Sequence, residues 1–464
     1  MHIHILGVAG TFMGGLAALA QAAGHRVTGS DVTIYPPMSD QLQQLGIDVY
    51  EGYGVEQLAL NPDLFVVGNV VSRGNPLMEA ILAQGLPYQS GPEWMAWHVL
   101  SYCRVIAIAG THGKTTTTAM VIWLLQQAGL SPGYLVGGVM QQNTQSACLP
   151  KDWSSRRRPL AERSWFVIEA DEYDTAFFDK RSKFVHYHPE LTVLNNLEFD
   201  HGDIFTDLSA IRQQFHHLVR TLSGQGQLIV NGIDKELAQV LALGCWTPVV
   251  YFGGVGQVRL LGQDQDSVIR LEVPGSEILV GTWSMVGAHN RLNAAAALLV
   301  AHRVGISWVE AFKSLAGFAG VKRRLESLGV VYGVEVIDDF AHHPTAIQTT
   351  LNGLRQKLGS GRRILAVLEP RSNTMKMGIW SHQLAASLTE AERVFCYAGG
   401  LGWNVEDALA PLGEKVRVEE DFECLIDAIL QEAHSGDTIL VMSNGGFRGI
   451  HQRLLNGLAL RNAS

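Results

Sequence analysis

Short apolar runs alternate along this chain with longer stretches of helical spacing, and glycine or polar residues stand at the joins. The first such unit is Ile3-His4-Ile5-Leu6, the turn Gly7-Val8-Ala9-Gly10 and a helix-compatible run from Phe12 to Ala23. The second is Val105-Ile106-Ala107-Ile108, the turn Gly110-Thr111-His112-Gly113-Lys114 and a helix through Gln127. The third is Thr438-Ile439-Leu440-Val441-Met442, the turn Ser443-Asn444-Gly445-Gly446 and a C-terminal helix. Runs this short suit strands buried on both faces, and the stretches between them suit helices lying on those faces. The pattern predicts parallel sheets covered by helices, in three consecutive α/β domains. Boundaries fall near residue 101, just before the strand that feeds Gly110, and near residue 322, within Gly320-Val321-Lys322-Arg323-Arg324. The expected domains are therefore 1–101, 102–322 and 323–464. Residues 141–164 lack periodicity and contain Arg156-Arg157-Arg158-Pro159; they read either as a solvated surface loop or as a lid over an anionic ligand.

Composition narrows the class. At 464 residues the chain can hold two to four domains, each with its own core. Hydrophobic residues at 47% and charged residues at 17% mark a globular chain rather than a disordered one. A formal charge of -9 argues against a nucleic-acid partner, which needs a basic surface, but permits a small anionic ligand in a locally positive site. Cys103, Cys148, Cys245, Cys396 and Cys424 form no C-x-x-C pair, which removes zinc-ribbon and thioredoxin-like readings and suits a reducing compartment. The N-terminus has no basic start leading into a long apolar stretch, and no run of about 18 apolar residues occurs. The expectation is a cytoplasmic protein with no membrane, nucleic-acid or obligate protein partner.

The strongest local signal is Gly110-Thr111-His112-Gly113-Lys114-Thr115-Thr116. A strand feeds it and a helix leaves it, the context in which backbone N–H groups converge on phosphate oxygens. Lys114 is placed to reach β- and γ-phosphates and Thr115 to ligate Mg²⁺. The full G-x-x-x-x-G-K-[ST] pattern would put a glycine where Ile108 stands, so the loop is a variant tightened around Gly110. The strand Trp165-Phe166-Val167-Ile168 ends in Glu169-Ala170-Asp171-Glu172; beside a phosphate loop, Glu169 is a candidate magnesium ligand. Val193-Leu194-Asn195-Asn196-Leu197-Glu198-Phe199-Asp200-His201 repeats the strand-then-polar pattern, and His201 reads either as a loop histidine or as a further metal ligand. The first glycine turn, through Thr11, Phe12, Met13 and Gly14, resembles a dinucleotide fingerprint, with Asp31 at the distance of a ribose contact. Ala9 stands where that fingerprint wants glycine, so a different nucleotide held by diphosphate and ribose fits equally well.

Together with Gly287-Ala288-His289-Asn290-Arg291-Leu292-Asn293, Arg323-Arg324-Leu325-Glu326 and Asp338-Asp339-Phe340-Ala341-His342-His343-Pro344, these segments resemble the Mur ligase family, in the family's order and from residue 3 to about 450. The resemblance implies a Rossmann-like N-terminal domain, a central P-loop ATPase-like domain and a Rossmann-like C-terminal domain. Gly7, Gly10, Thr11, Phe12, Met13, Gly14 and Asp31 resemble the family's UDP-sugar site, with Ser72 and Asn75 in the segment that closes over it. Gly110, Thr111, His112, Gly113, Lys114, Thr115 and Thr116 resemble the ATP-phosphate loop, and Thr115, Glu169 and His201 the metal groups. His289, Asn290 and Asn293 resemble the adenine side, while Arg324, Asp339 and His342 are implied to reach ATP from the third domain. No equivalent of the carbamylated lysine of some relatives is evident.

Three stretches, Tyr35-Pro36-Pro37-Met38-Ser39, Glu172-Tyr173-Asp174-Thr175-Ala176-Phe177-Phe178-Asp179 and Glu369-Pro370-Arg371-Ser372-Asn373-Thr374-Met375-Lys376, look most like the family branch that joins the murein tripeptide L-alanyl-γ-D-glutamyl-meso-diaminopimelate to UDP-N-acetylmuramate. The branch that adds L-alanine is the alternative. Arg371 follows an apolar strand at a sheet's carboxyl edge, where its planar fork suits a carboxylate of the incoming peptide; Ser372 and Asn373 are candidate donors beside it. The implied catalytic set is Lys114, Glu169, His201 and Arg324, with ATP and Mg²⁺ as cofactors. His201 or a third-domain histidine is a candidate base. An NAD-dependent oxidoreductase would explain the first glycine turn but neither Lys114, Glu169 nor the third domain. A non-catalytic sensor of UDP-sugars would bind without releasing phosphate.

Overall fold

The computed structural model describes residues 1–34, 38–138, 140–141, 145–156, 158–263 and 267–461. Tyr35, Pro36 and Pro37 of the first discriminating stretch, and Arg157 of the basic loop, lie outside the described residues.

The first sheet holds β1 (His2–Leu6), β2 (Arg26–Asp31), β3 (Asp48–Glu51), β4 (Leu64–Val67) and β5 (Tyr88–Ser90), all parallel, in the order β3-β2-β1-β4-β5. The second contains β6 (Arg104–Ala109), β7 (Gly133–Leu135), β8 (Ala147–Cys148) and β9 (Trp165–Ala170). A small hairpin, β10 (Asp174–Ala176) and β11 (Asp179–Ser182), interrupts it. It resumes with β12 (Leu191–Leu194), β13 (Gln227–Asn231) and β14 (Val249–Phe252), giving the order β14-β13-β12-β6-β9-β7-β8, parallel apart from β8. An antiparallel sheet of β15 (Arg259–Gly262), β16 (Val268–Glu272) and β17 (Leu279–Thr282) follows. The last sheet runs β18 (Glu326–Val331), β19 (Val334–Asp339), β20 (Ile364–Leu368), β21 (Arg393–Tyr397), β22 (Val416–Glu419) and β23 (Thr438–Met442) in sequence. Its spatial order is β18-β19-β23-β20-β21-β22, with β18 antiparallel to β19. The class is the expected one, three α/β units in succession.

The antiparallel pieces were not anticipated, for a physical reason. Continuous apolar runs signal strands buried on both faces, whereas β16 alternates buried and open positions, as a sheet wetted on one face does.

Register decides where the loops meet. Ala109 is paired with both Ala170 and Leu194, so the chain leaves β6, β9 and β12 side by side at one edge. Met442 is likewise paired with Asp339 and Leu368, which groups the loops after β19, β20 and β23. The first two units share one apolar cluster, which runs from Ile3 and Leu16 to Ala107 and Phe166. Gly15 shows how close they come: a Cβ there would overlap Leu135 of β7. The last sheet is packed between its own two clusters. The chain's longest apolar stretches do not make a membrane span: among the described residues no helix is long and apolar enough to cross one.

Candidate active site

The glycine turn after β6 is shaped by its neighbours. Gly110 has φ +150, and a Cβ there would lie 3.0 Å from Asn195 Cβ and 3.1 Å from Asn196 N. Gly113 caps the helix Lys114–Gln127 with φ +77, and a Cβ there would meet Asn293 Oδ1 at 2.5 Å and Asn195 Nδ2 at 2.8 Å. Gly113→Ala should therefore cost about 1–3 kcal/mol of stability, from the left-handed backbone and the crowded amides. Thermal unfolding measures it, and an unchanged midpoint would show that both amides yield freely. The turn is laced to the loop after β12: His112 N donates to Asn196 Oδ1 at 2.7 Å, and Glu198 N donates to Thr111 Oγ1 at 2.9 Å.

Lys114 Nζ donates to Gly110 O at 2.7 Å and pairs with Glu172 Oε2 at 2.7 Å, with Asp171 Oδ1 3.9 Å away. Burial opposes the ammonium's charge, but Glu172 and Asp171 outweigh it and hold the group above the usual lysine range. Glu172 is 1% exposed, and burial alone would keep it neutral; Lys114 and His201 reverse that and lower its pKa. Glu169 behaves differently from Glu172. Its Oε1 accepts from Thr115 Oγ1 at 2.9 Å and its Oε2 from Gly137 N at 2.7 Å, so it stands at the mouth of the phosphate loop.

His201 sits at φ +55, a strained backbone for a non-glycine residue, which turns its ring back toward the acids. Its Nε2 is 3.5 Å from Glu172 Oε1, and its ring meets Tyr173 edge-on at 5.0 Å. Burial lowers its pKa, but Glu172 and the neighbouring aspartates raise it further, to about 9. Asp171, Glu172 and His201 bring potential ligand atoms within 4.8 Å of one another. Of the three expected metal residues, Thr115 and Glu169 thus stand together, while His201 stands apart against Glu172. Asp171 and Glu172 stand between Lys114 and His201, a role the sequence did not assign them.

From the third unit, Asp339 is a buried organiser. Its carboxylate accepts from Leu325 N and Ala341 N, both at 2.8 Å, and burial raises its pKa despite Arg324. Arg324 lies over the Phe340 ring, 5.1 Å from its centroid, and lines the central cavity. The adjacent histidines have opposite tautomers. His342 Nδ1 is 2.9 Å from Phe340 O, which can only accept, so the neutral ring leaves a lone pair on Nε2. His343 Nδ1 instead accepts from Thr345 N at 3.2 Å, so Nε2 carries the hydrogen, and that buried atom has no hydrogen-bond partner among the described residues. His112, Glu198 and His343 are also close enough to hold a metal, yet neither His343 nitrogen offers a free lone pair. Within the trio His343 reads instead as a donor facing the cavity, with Glu198 an acceptor beside His112.

The same cavity, about 640 Å³, is lined by Gly113, Lys114, Thr115, Thr116, His289, Asn290 and Asn293. Asn290 Nδ2 donates to Val286 O at 2.7 Å, and Asn293 Oδ1 accepts from Asn195 Nδ2 at 2.7 Å. Asn293 thus ties the helix Ala288–Val304 to the loop after β12, whose Asn195 also donates to His112 O of the phosphate loop. All the residues expected around ATP line this cavity except Gly110, whose carbonyl accepts from Lys114 beside it.

The first unit is more mixed. Gly7 has φ +83 at the carboxyl end of β1, and Gly10 caps the helix Thr11–Ala22 without a side chain. Thr11 is exposed and Phe12 half-buried, whereas Met13 is core, and Gly14 is a packing glycine whose Cβ would overlap Met38. Asp31 accepts from Ala9 N at 2.9 Å and Val32 N at 2.8 Å and so shapes the turn, while each carboxylate oxygen keeps a further lone pair. Asn75 caps the helix Pro76–Ala83 through Met78 N, while Ser72 is exposed nearby.

Of the expected peptide donors, Asn373 is partly engaged, while Ser372 accepts and keeps its hydroxyl hydrogen. Ser372 Oγ caps the helix Asn373–Lys376, and Asn373 Nδ2 donates to Asp203 Oδ2 at 2.8 Å, where Tyr173 also donates at 2.5 Å. Asn373 thus bridges the second and third units. Arg371 packs so tightly on Gly445 that a Cβ there would overlap its guanidinium. Tyr173, Asp203, Glu198 and His343 were missed as site residues. Their motifs were visible, but their partners are distant in sequence.

Comparison with known proteins agrees with this geometry. Residues 2–102 match the Mur ligase family catalytic domain, 108–301 the Mur ligase middle domain and 323–445 the Mur ligase glutamate ligase domain. The chain is 50% identical over 462 residues, 99% of its length and 98% of the relative's, to UDP-N-acetylmuramate–L-alanyl-γ-D-glutamyl-meso-2,6-diaminoheptandioate ligase of Escherichia coli (strain K12). It is 30% identical to UDP-N-acetylmuramate–L-alanine ligase of Renibacterium salmoninarum, covering 98% of this chain and 96% of that one. A crystal structure of a murein peptide ligase from Psychrobacter arcticus 273-4 superposes with a TM-score of 0.79 at 46% identity, over 99% of each chain. Three family matches in succession and half-identity over nearly the full length show that this chain is an enzyme of the Mur ligase family, whose members are ATP-dependent.

Proposed function

We propose that the chain joins the tripeptide L-alanyl-γ-D-glutamyl-meso-diaminopimelate to the lactyl carboxylate of UDP-N-acetylmuramate, releasing ADP and phosphate, in the cytoplasmic recycling of peptidoglycan. The observation that carries this reading is the 50% identity over nearly the whole length to a relative of that name, against 30% to an L-alanine ligase. In this reading residues 1–101 hold the UDP-sugar, 102–322 hold ATP and 323–464 bring the peptide.

A lactyl carboxylate oxygen attacks the γ-phosphorus of ATP and ADP leaves. The peptide amine then attacks the carbonyl carbon of the acyl phosphate, loses a proton and expels phosphate. Phosphoryl transfer of this kind depends mainly on positioning and charge. Lys114 and Arg324 put cations at the cavity, and the His343 Nε2–H is an unspent donor for an anionic oxygen. Between the two histidines, His342 is the one whose neutral ring can take the amine proton. Thr115 and Glu169 fit Mg²⁺, because a hydroxyl and a carboxylate 2.9 Å apart at a phosphate loop form the oxygen donor set that ion prefers. Asp171, Glu172 and His201 would complete a second position. When bound, magnesium supplies charge neutralisation at the phosphates. The shared walls of the cavity keep water from the acyl phosphate once the third unit is docked.

ATP turnover with UDP-N-acetylmuramate, supplied with either the tripeptide or L-alanine, tests the proposal; a preference for free L-alanine would replace it with the alanine-adding relative's reaction. A second test concerns Arg371, the one expected peptide contact whose polar atoms are not committed to a hydrogen bond given among the described residues. Arg371→Lys removes the planar fork that reads a carboxylate bidentately. The KM for tripeptide should rise roughly tenfold or more, the size of one lost charge-assisted hydrogen bond, with those for ATP and UDP-N-acetylmuramate nearly unchanged. An equal loss for all three substrates would make Arg371 a support for the Gly445 turn instead.

A further inference from the structure

Lys183 is an ammonium held between two units with no role assigned so far. It opens a short 3-10 turn, Lys183–His186, at the end of the hairpin strand β11. The hairpin fixes it from below, since Lys183 N donates to Tyr173 O and Ser182 Oγ donates to Glu172 O. The helix Gly91–His98 of the first unit packs against the same turn. Its side chain is 11% exposed, and Nζ pairs with Asp171 Oδ2 at 2.8 Å. Beyond that pair, Nζ faces two aromatic rings, Tyr173 at 5.6 Å and Phe12 at 5.8 Å. An ammonium has three donors, neither ring is a hydrogen-bond acceptor of carboxylate strength, and Asp171 is the one side-chain acceptor given to Nζ among the described residues, so two donors remain for a ligand.

Placement gives those donors a meaning. Phe12 stands in the first turn of the helix that follows the glycine turn of the first unit, while Asp171 Oδ1 lies 3.9 Å from Lys114 Nζ. One carboxylate therefore separates a cation at the phosphate loop from a cation at the sugar turn. The reaction proposed above must bring an anionic carboxylate up to an anionic phosphate. Two such groups repel unless fixed cations lie beside both, and the effect is large where water is excluded. Lys114 serves the phosphate. We infer that Lys183 binds the lactyl carboxylate of the UDP-sugar and aims it at the γ-phosphate, and so selects a lactyl-bearing sugar nucleotide over one without that group. This rests on the proposed function.

The test compares UDP-N-acetylmuramate with UDP-N-acetylglucosamine, which lacks the lactyl group. Calorimetric affinities are measured for the wild type, Lys183→Gln and Lys183→Arg, with melting temperature and ATP affinity as checks on folding. The wild type should prefer the muramate. Lys183→Gln should lose roughly 10- to 100-fold in muramate affinity, the range for hydrogen bonds to a charged group, and leave the glucosamine affinity unchanged. Lys183→Arg, which keeps the charge, should retain a preference for the muramate. If Lys183→Gln keeps the wild-type preference, or weakens both nucleotides equally, the inference is overturned while the proposed reaction stands. If the wild type binds neither nucleotide, the proposed reaction falls and the inference with it.

Discussion

Lys114→Ala should reduce turnover at least a hundredfold, on the order of 2.7 kcal/mol in the activation barrier. The lost group is the cation held at the phosphate loop by Gly110 O and Glu172. The same change strands Glu172, which is 1% exposed and would keep His201, 3.5 Å away, as its one cationic neighbour among the described residues. Removing one partner of a buried pair costs about 3–5 kcal/mol, so the melting temperature should fall as well. Turnover is therefore compared well below the variant's melting point, with a circular-dichroism spectrum showing native secondary structure. Binding of UDP-N-acetylmuramate should persist, since its proposed site lies in the first unit. Near-normal turnover in folded protein would remove the ATP site from this cavity.

Glu169→Gln should lower activity at least roughly tenfold, more so at low magnesium, and added Mg²⁺ should recover part of it. Glutamine preserves the shape of the site. Its carbonyl can accept from Gly137 N, and its amide can donate to the Thr115 hydroxyl, so both contacts survive with the charge removed. The variant thus isolates charge from geometry. Activity plotted against magnesium concentration should shift to higher concentration. A curve that overlays the wild type would show that Glu169 orders the loop through Thr115 and Gly137 and holds no metal.

The local chemistry of the site was legible because each motif is contiguous. Gly110 and Gly113 announce a turn that only glycine tolerates at φ +150 and +77, and Lys114-Thr115 follow at once on the helix. The acids after β9 and the polar run after β12 could be read the same way. What remained hidden was the choice among neighbouring side chains. Nothing in Glu169-Ala170-Asp171-Glu172 says that Glu169 takes the Thr115 hydroxyl while Glu172 goes under the floor to Lys114. Likewise, Asn373 looked available to a peptide, but Asp203, far away in sequence, already holds it.

By itself the sequence determined the apolar strands that feed the site, the turns that follow them and the succession of α/β units, because apolar periodicity and glycine act over a few residues. Only the tertiary structure decided which loops share an edge. Ala109 could meet Ala170 and Leu194 only once β6 lay between β9 and β12, an order the chain does not follow. That packing, not any local signal, set the opposite tautomers of His342 and His343 and the pairing of Glu172 with Lys114. It also placed Lys183 beside Phe12, because a buried charge takes its partners from whatever the sheets bring within reach.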